Sequence, residues 1–261
     1  MNLHESNRLI EMSQSPPLPK DDPSDACGFV LPDASKLEAM AEFAAGAGHE
    51  INNPLATIIG RAQLLLKDER DPQRRQMLLA IGAQAYRVRD MIGDTMLFGR
   101  PPAPELQPVD LARAVSDILS KQTVDLAAEN CTVSVEIPNG LSLGADSTQL
   151  AIVLSELLRN SRQALQSVGG GEIRVRANSH DEFAIIEIED RGQGFTKIER
   201  QHAFDPFFSG RQAGRGLGFG LSKCWRIIQQ HAGRIEIESA PAGPTLVRVT
   251  WPLSVAPDDL K

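Results

Sequence analysis

The sequence predicts two architectures in tandem, an antiparallel helical hairpin and then an α/β sandwich. Three observations carry this expectation. Apolar residues from Leu37 to Leu65, and most positions from Met77 to Phe98, recur in alternating steps of four and three, the spacing of a seam in a coiled-coil-like bundle. Gly99 and the run Pro101-Pro102-Ala103-Pro104 then break the pattern, because proline cannot continue a helix interior. Beyond Glu105, short alternating stretches are interleaved with amphipathic ones, the texture of strands with helices packed on one face.

Composition narrows the function classes. The chain has 261 residues, 41% of them hydrophobic, enough to bury a sizeable core in one or two domains. A net charge of −7 argues against a nucleic-acid binder, whose affinity would rest on a basic face. Cys27, Cys131 and Cys224 are odd in number and far apart, with no paired spacing. A reduced compartment without a zinc site is expected. No apolar run approaches the ~20 residues that span a bilayer, and the N-terminus lacks a secretory apolar region. These features predict a soluble, cytoplasmic protein.

Taken in order, residues 1–34 are proline-rich and aperiodic and read as a flexible tail. The first helix is expected over residues 35–67, with Leu37, Ala41, Ala44, Gly48, Ile51, Leu55, Ile58, Ala62 and Leu65 on its seam. Asp71-Pro72 is a helix-start signal, an N-cap followed by a proline at the first position. The second helix should run to Phe98 on Met77, Ile81, Gln84, Val88, Met91, Thr95 and Phe98. A hairpin cannot cover both of its apolar flanks, so dimerisation into a four-helix bundle is expected for residues 35–99. Residues 100–108 form a linker and 109–253 the sandwich, followed by a short tail at 254–261. Within the sandwich, helices are expected at 111–130, 147–166 and 217–231. Strands are expected at 132–137, 171–177, 182–189, 234–238 and 245–251, and residues 195–215 read as a long lid loop.

Chemistry-bearing residues cluster in five places. His49, Glu50 and Asn53 share the side of the first helix away from its seam. Pro54 removes a backbone donor there and should bend the helix after His49. Glu156 and Asn160 lie one turn apart on a helix, a carboxylate and a carboxamide suited to a magnesium ion or a positioned water. Asp190-Arg191-Gly192-Gln193-Gly194 closes a strand, where a carboxylate can accept from an amino group such as that of adenine and the glycines allow close approach. Phe204-Asp205-Pro206-Phe207-Phe208 is either a small satellite core or a lid hinge. Gly214, Gly216, Gly218 and Gly220 lead through Leu221 into a helix and offer backbone N–H groups to phosphates, without the spacing of the phosphate-loop or Rossmann motifs.

In this order the clusters resemble the boxes of sensor histidine kinases over residues 35–252. His49-Glu50-x-x-Asn53-Pro54-Leu55 is similar to the phosphoacceptor box and Glu156 to Asn160 to the N box. Asp190-x-Gly192-x-Gly194 is similar to the first glycine box, Phe204 to Phe208 to the F box, and Gly216-Leu217-Gly218-Phe219-Gly220-Leu221 to the second glycine box. The resemblance implies an ATP-binding domain of the type shared with gyrase and related chaperones, tethered to a dimeric hairpin. It further implies ATP with Mg2+, the adenine on Asp190, the metal on Asn160 and the phosphates along Gly216 to Gly220. His49 would be phosphorylated with help from Glu50 and would pass the group to an aspartate of a response-regulator receiver. The Glu50-x-x-Asn53 pattern resembles the family's phosphatase signature.

Two departures stand out. Ser161 and Gln163 replace the family's common alanine and basic residue, leaving a phosphate contact that Arg211 and Arg215 could replace. Gly48 precedes the histidine where alanine is common, and is expected to loosen the helix by roughly 1 kcal/mol. A conformational ATPase or a nucleotide-binding dimeric scaffold, neither forming phosphohistidine, are the alternatives.

Overall fold

A computed structural model describes residues 34–208 and 218–254. Helix α1 (Ala34–Asp68) and helix α2 (Pro72–Gly99) form the expected antiparallel hairpin. The turn is fixed at its second helix, where Asp71 Oδ1 accepts from the N–H groups of Gln73 (2.8 Å) and Arg74 (3.2 Å). These are donors that no intrahelical carbonyl can serve. Helix α1 continues through Pro54 as one element.

The inner contacts of the hairpin differ in part from the expected seams. Gly48, Leu55 and Ala62 are buried as expected, and Ile59 and Ala85 join them. Ile58, Leu65, Met77, Ile81 and Val88 instead lie exposed, Leu65 at 61% and Met77 at 65%. A helix in a pair presents only a narrow stripe to its partner, so seven-residue periodicity marks an apolar face wider than one neighbour covers. Phe98 leaves the hairpin altogether and packs in the core of the second unit.

That unit begins with β1 (Gln107–Asp110) and α3 (Leu111–Ala128), followed by β2 (Cys131–Glu136), β3 (Ser142–Ala145) and α4 (Ser147–Gln166). After β4 (Gly171–His180), β5 (Phe183–Asp190) and α5 (Lys197–Gln201) come α6 (Gly220–Gln230), β6 (Arg234–Ser239) and β7 (Thr245–Pro252). Five strands form one sheet in the order β2-β4-β5-β7-β6, with β2 parallel to β4 and the other pairs antiparallel. Strands β1 and β3 pair separately.

The sandwich follows from alternation. Ile173, Val175, Ala184, Ile186, Ile188, Val247, Val249 and Trp251 point to one face and share a single core with the apolar stripes of α3, α4 and α6. The other face carries Arg176 bonded to Glu189 (3.1 Å) and Arg248 to Glu187 (3.1 Å), cross-strand charge pairs suited to water. Asp110 and Asp146 cap α3 and α4.

Three elements were not anticipated. Strands β1 and β3 have four residues each, too few for alternation to be read. Helix α5, five residues with a Thr196–Glu199 capping box, sits inside the expected lid. The connection between the units is also less loose than its prolines suggest. Gln149 Nε2 donates to Pro102 O (3.0 Å), Gln230 Nε2 to Pro101 O (3.3 Å), and the Glu105 N–H to Asp146 Oδ2 (3.1 Å).

Candidate active site

A cavity of about 230 Å³ opens between α4, the end of β5, α5 and the start of α6. Its walls bring together Asn160, Asp190, Gly194, Gly218, Gly220 and Leu221, all singled out in the sequence. Leu150, Leu154, Leu157, Leu158 and Leu165 bury one stripe of α4, which leaves Glu156 and Asn160 at its edge. The helix is anchored below by Asp146, whose own N–H donates to His231 Nε2 (3.1 Å) while His231 Nδ1 bonds Ile227 O (2.9 Å). Burial beside Trp251 holds the His231 pKa below its ordinary value, consistent with a neutral ring that donates at one nitrogen and accepts at the other.

Asp190 ends β5 at 2% exposure, on the inward side of the alternation. Its Oδ1 accepts the Gly192 N–H at 3.0 Å. Burial pushes its carboxyl above the ordinary value, opposed by that N–H and by the Ser161 hydroxyl. A carboxylate so placed gains from any donor a ligand brings. Gly192 turns out to serve packing, since a Cβ there would come within 2.6 Å of Ala164 Cβ on α4. Gly218 has φ +72°, and a Cβ would meet the Phe208 backbone nitrogen at 2.7 Å, so only glycine fits.

The F-box segment divides its phenylalanines. Phe204 is buried in the core, Phe208 lines the cavity, and Phe207 stands edge-on to Phe219 with centroids 4.6 Å apart. Phe219 also meets Phe98 of α2, edge-on at 6.3 Å. This contact helps fasten the hairpin to the cavity wall. So does Lys223 on α6, whose Nζ lies 2.7 Å from Asp94 Oδ1 of α2 and 3.1 Å from Glu156 Oε1. Glu156 uses its second oxygen on Arg159. Its two carboxylates hold the Lys223 pKa above its ordinary value despite burial.

Sequence reasoning missed Asp94, Arg159, Phe219 and Lys223. A hint existed for the first: Asp94 and Phe98 are one turn apart, so whatever covers one meets the other. Lys223 carries no pattern of its own.

Among the described residues no group of three His, Cys, Asp or Glu side chains could hold a metal ion. The Asn160 Nδ2 is buried without a partner in the cavity wall; as an amide donor it suits an acceptor such as a phosphate oxygen, while only the Oδ1 of the same side chain could ligate a cation. Glu50 and Asn53 are exposed on α1, and no α1 residue is among the described residues of the cavity wall. The His49 side chain, and Arg211, Gly214, Arg215 and Gly216, lie outside the described residues.

Comparison with known proteins agrees with this geometry. Residues 39–104 match the His Kinase A (phospho-acceptor) domain, and residues 145–255 the Histidine kinase-, DNA gyrase B-, and HSP90-like ATPase. Signal transduction histidine-protein kinase AtoS of Escherichia coli (strain K12) is 34% identical over 80% of this chain and 34% of its own length. Sensory histidine kinase/phosphatase NtrB of Salmonella typhimurium is 32% identical over 82% of this chain and 63% of its own. The chain thus spans between a third and two thirds of these relatives. The crystal structure of full-length ShkA in complex with AMPPNP shares the fold, with a TM-score of 0.72 at 19% identity over 82% of this chain and 46% of that one.

Proposed function

We propose that this chain, which belongs to the sensor histidine kinase family, is an ATP-dependent protein-histidine kinase. In this reading His49 is autophosphorylated, and the phosphoryl group then passes to an aspartate of a response-regulator receiver. The observation that carries the reading is the cavity itself. A buried carboxylate, Asp190, and an unpartnered amide, Asn160 Nδ2, face one space at the N-terminus of α6.

The residues have natural roles. Asp190 accepts the adenine amino group, and Gly218, Gly220 and Leu221 present backbone N–H groups and a positive helix end to the phosphates. Asn160 would hold Mg2+ together with the nucleotide's phosphates; the ion would neutralise charge on the transferred group. A neutral His49 nitrogen attacks the γ-phosphorus while the bond to the ADP oxygen breaks, and Glu50 holds the other ring N–H as positive charge develops. Asn53, one turn along α1, orients a water for dephosphorylation of the regulator. The exposed stripe of Ile58, Leu65, Met77 and Ile81 supports a homodimer closed as a four-helix bundle. No helix among the described residues is long and apolar enough to cross a membrane, and we place the catalytic region in the cytoplasm.

Incubation with γ-labelled ATP and Mg2+ tests the reaction. The expected product is protein-bound label that is lost in acid and kept in base. ATP turnover without such label would favour the conformational ATPase, and binding without either would favour the scaffold.

A further inference from the structure

A triphosphate brings several negative charges into a cavity that already holds three. Asp94, Asp190 and Glu199 line it, and Arg159 is the one cationic side chain among its described lining residues. The other basic groups nearby are committed. Arg162 turns away to Asp125 (3.0 Å) and Glu129 (2.7 Å), and Lys223 is buried between Asp94 and Glu156. Position 163, one turn from Asn160, is an uncharged glutamine.

Arg159 differs in two respects. Its side chain is 46% exposed, so it can reorient without leaving a hole in the core. Its partner Glu156 is shared: one oxygen serves Arg159 and the other Lys223. Withdrawing the guanidinium would leave Glu156 still paired, avoiding the large penalty of an orphaned buried charge. Its starting place is also the right one. A Cβ on Gly220, the first residue of α6, would lie 3.0 Å from Glu156 Oε2, 3.4 Å from Arg159 Nη2 and 3.7 Å from Asn160 Nδ2. The first turn of α6 has no side-chain cap. The Glu156 carboxylate thus sits between two cations at a helix N-terminus, in surroundings that also suit a phosphate oxygen.

We infer that Arg159 is a phosphate-binding residue for the nucleotide, held on Glu156 and transferred to the terminal phosphates when ATP enters. It supplies the charge that a basic residue at position 163 would otherwise bring. This inference rests on the ATP reading above. It assigns the contact to the helix that carries Asn160, independently of Arg211 and Arg215, which lie outside the described residues.

Calorimetry on the full chain with Mg2+, using ATP, ADP and adenosine as separate probes, tests it on wild type, Arg159→Gln and Arg159→Lys. Arg159→Gln is expected to weaken ATP by at least about ten-fold and ADP by less, with adenosine within about two-fold and Lys restoring part of the ATP affinity. Unchanged ATP affinity in Arg159→Gln, with wild type binding ATP normally, overturns the assignment while leaving the ATP site intact. Equal losses for ATP and adenosine also overturn it, by showing a structural effect. A wild-type protein that binds no ATP overturns both.

Discussion

The hairpin and the sandwich treat their apolar residues in opposite ways. In the sandwich, helices close one face of the sheet, and Trp251, Leu143, Leu150, Ile173, Phe219 and Phe98 reach 0–1% exposure in one continuous core. In the hairpin, the small cluster of Leu55, Ile59 and Ala85 is matched by a longer stripe left in water. The sandwich can therefore hold a binding site rigidly with its own contacts, whereas the hairpin needs a partner surface to complete its packing. The proposed phosphoacceptor helix, α1, belongs to the unfinished half, whereas the proposed nucleotide cavity is built by the finished half with Asp94 of α2 at its edge.

The boundary between the two is where the comparison is most easily broken. Phe98 belongs to the hairpin by sequence and to the sandwich by packing, so Phe98→Ala is expected to destabilise the sandwich by about 3–5 kcal/mol. Denaturant unfolding followed by the near-ultraviolet signal of Trp251 and Trp225 would measure this. A loss below about 1 kcal/mol would mean that the hairpin does not contribute to that core.

Asp190→Asn should affect binding and stability in opposite directions. Nucleotide affinity is expected to fall by about 1.5–3 kcal/mol, roughly ten- to a hundred-fold, because a charge-assisted acceptor becomes a neutral amide. The folded protein should meanwhile gain. The Asp190 carboxyl is raised by burial, so its stabilising share is present below the ordinary carboxylate pKa and is lost as pH rises through the folded value. Melting temperatures without nucleotide should favour the Asn variant more at neutral pH than near pH 4. Equal differences at both would mean that burial does not penalise the charge.

Much of this was legible in the sequence because it is periodic or local. Both long helices, the Asp71-Pro72 start, the alternating strands and the Asp190 strand end follow from spacings of two or three to four residues. What escaped depends on pairs distant in the chain. Lys223 meets Asp94 across 129 positions and no local pattern marks the encounter. Heptad spacing also could not say which part of the stripe faces α2 and which faces outward. Gly48 is instructive, because its expected effect was a looser helix. In the structure it is buried where a Cβ would approach Met96 Sδ to 2.9 Å. A side chain there would have to displace the flexible Met96 thioether of α2, just before the histidine.

The smallest expected effect separates two activities on one exposed helix face. Asn53→Ala should leave autophosphorylation largely intact while slowing regulator dephosphorylation by about ten-fold, on the order of 1.4 kcal/mol of barrier. Decay of a purified phosphorylated receiver with ADP and each variant measures it. Equal decay rates would remove Asn53 from the phosphatase step, and lost autophosphorylation would make it a structural residue of α1.

The most direct test of the division between the two halves is His49→Gln, assayed for phosphorylation and nucleotide binding on the same preparation. His49 lies on α1, which contributes no described residue to the wall of the proposed nucleotide cavity, so all acid-labile label should vanish while ATP affinity stays within about two-fold of wild type. Label persisting in His49→Gln would contradict the phosphoacceptor assignment, and so the kinase reading built on it.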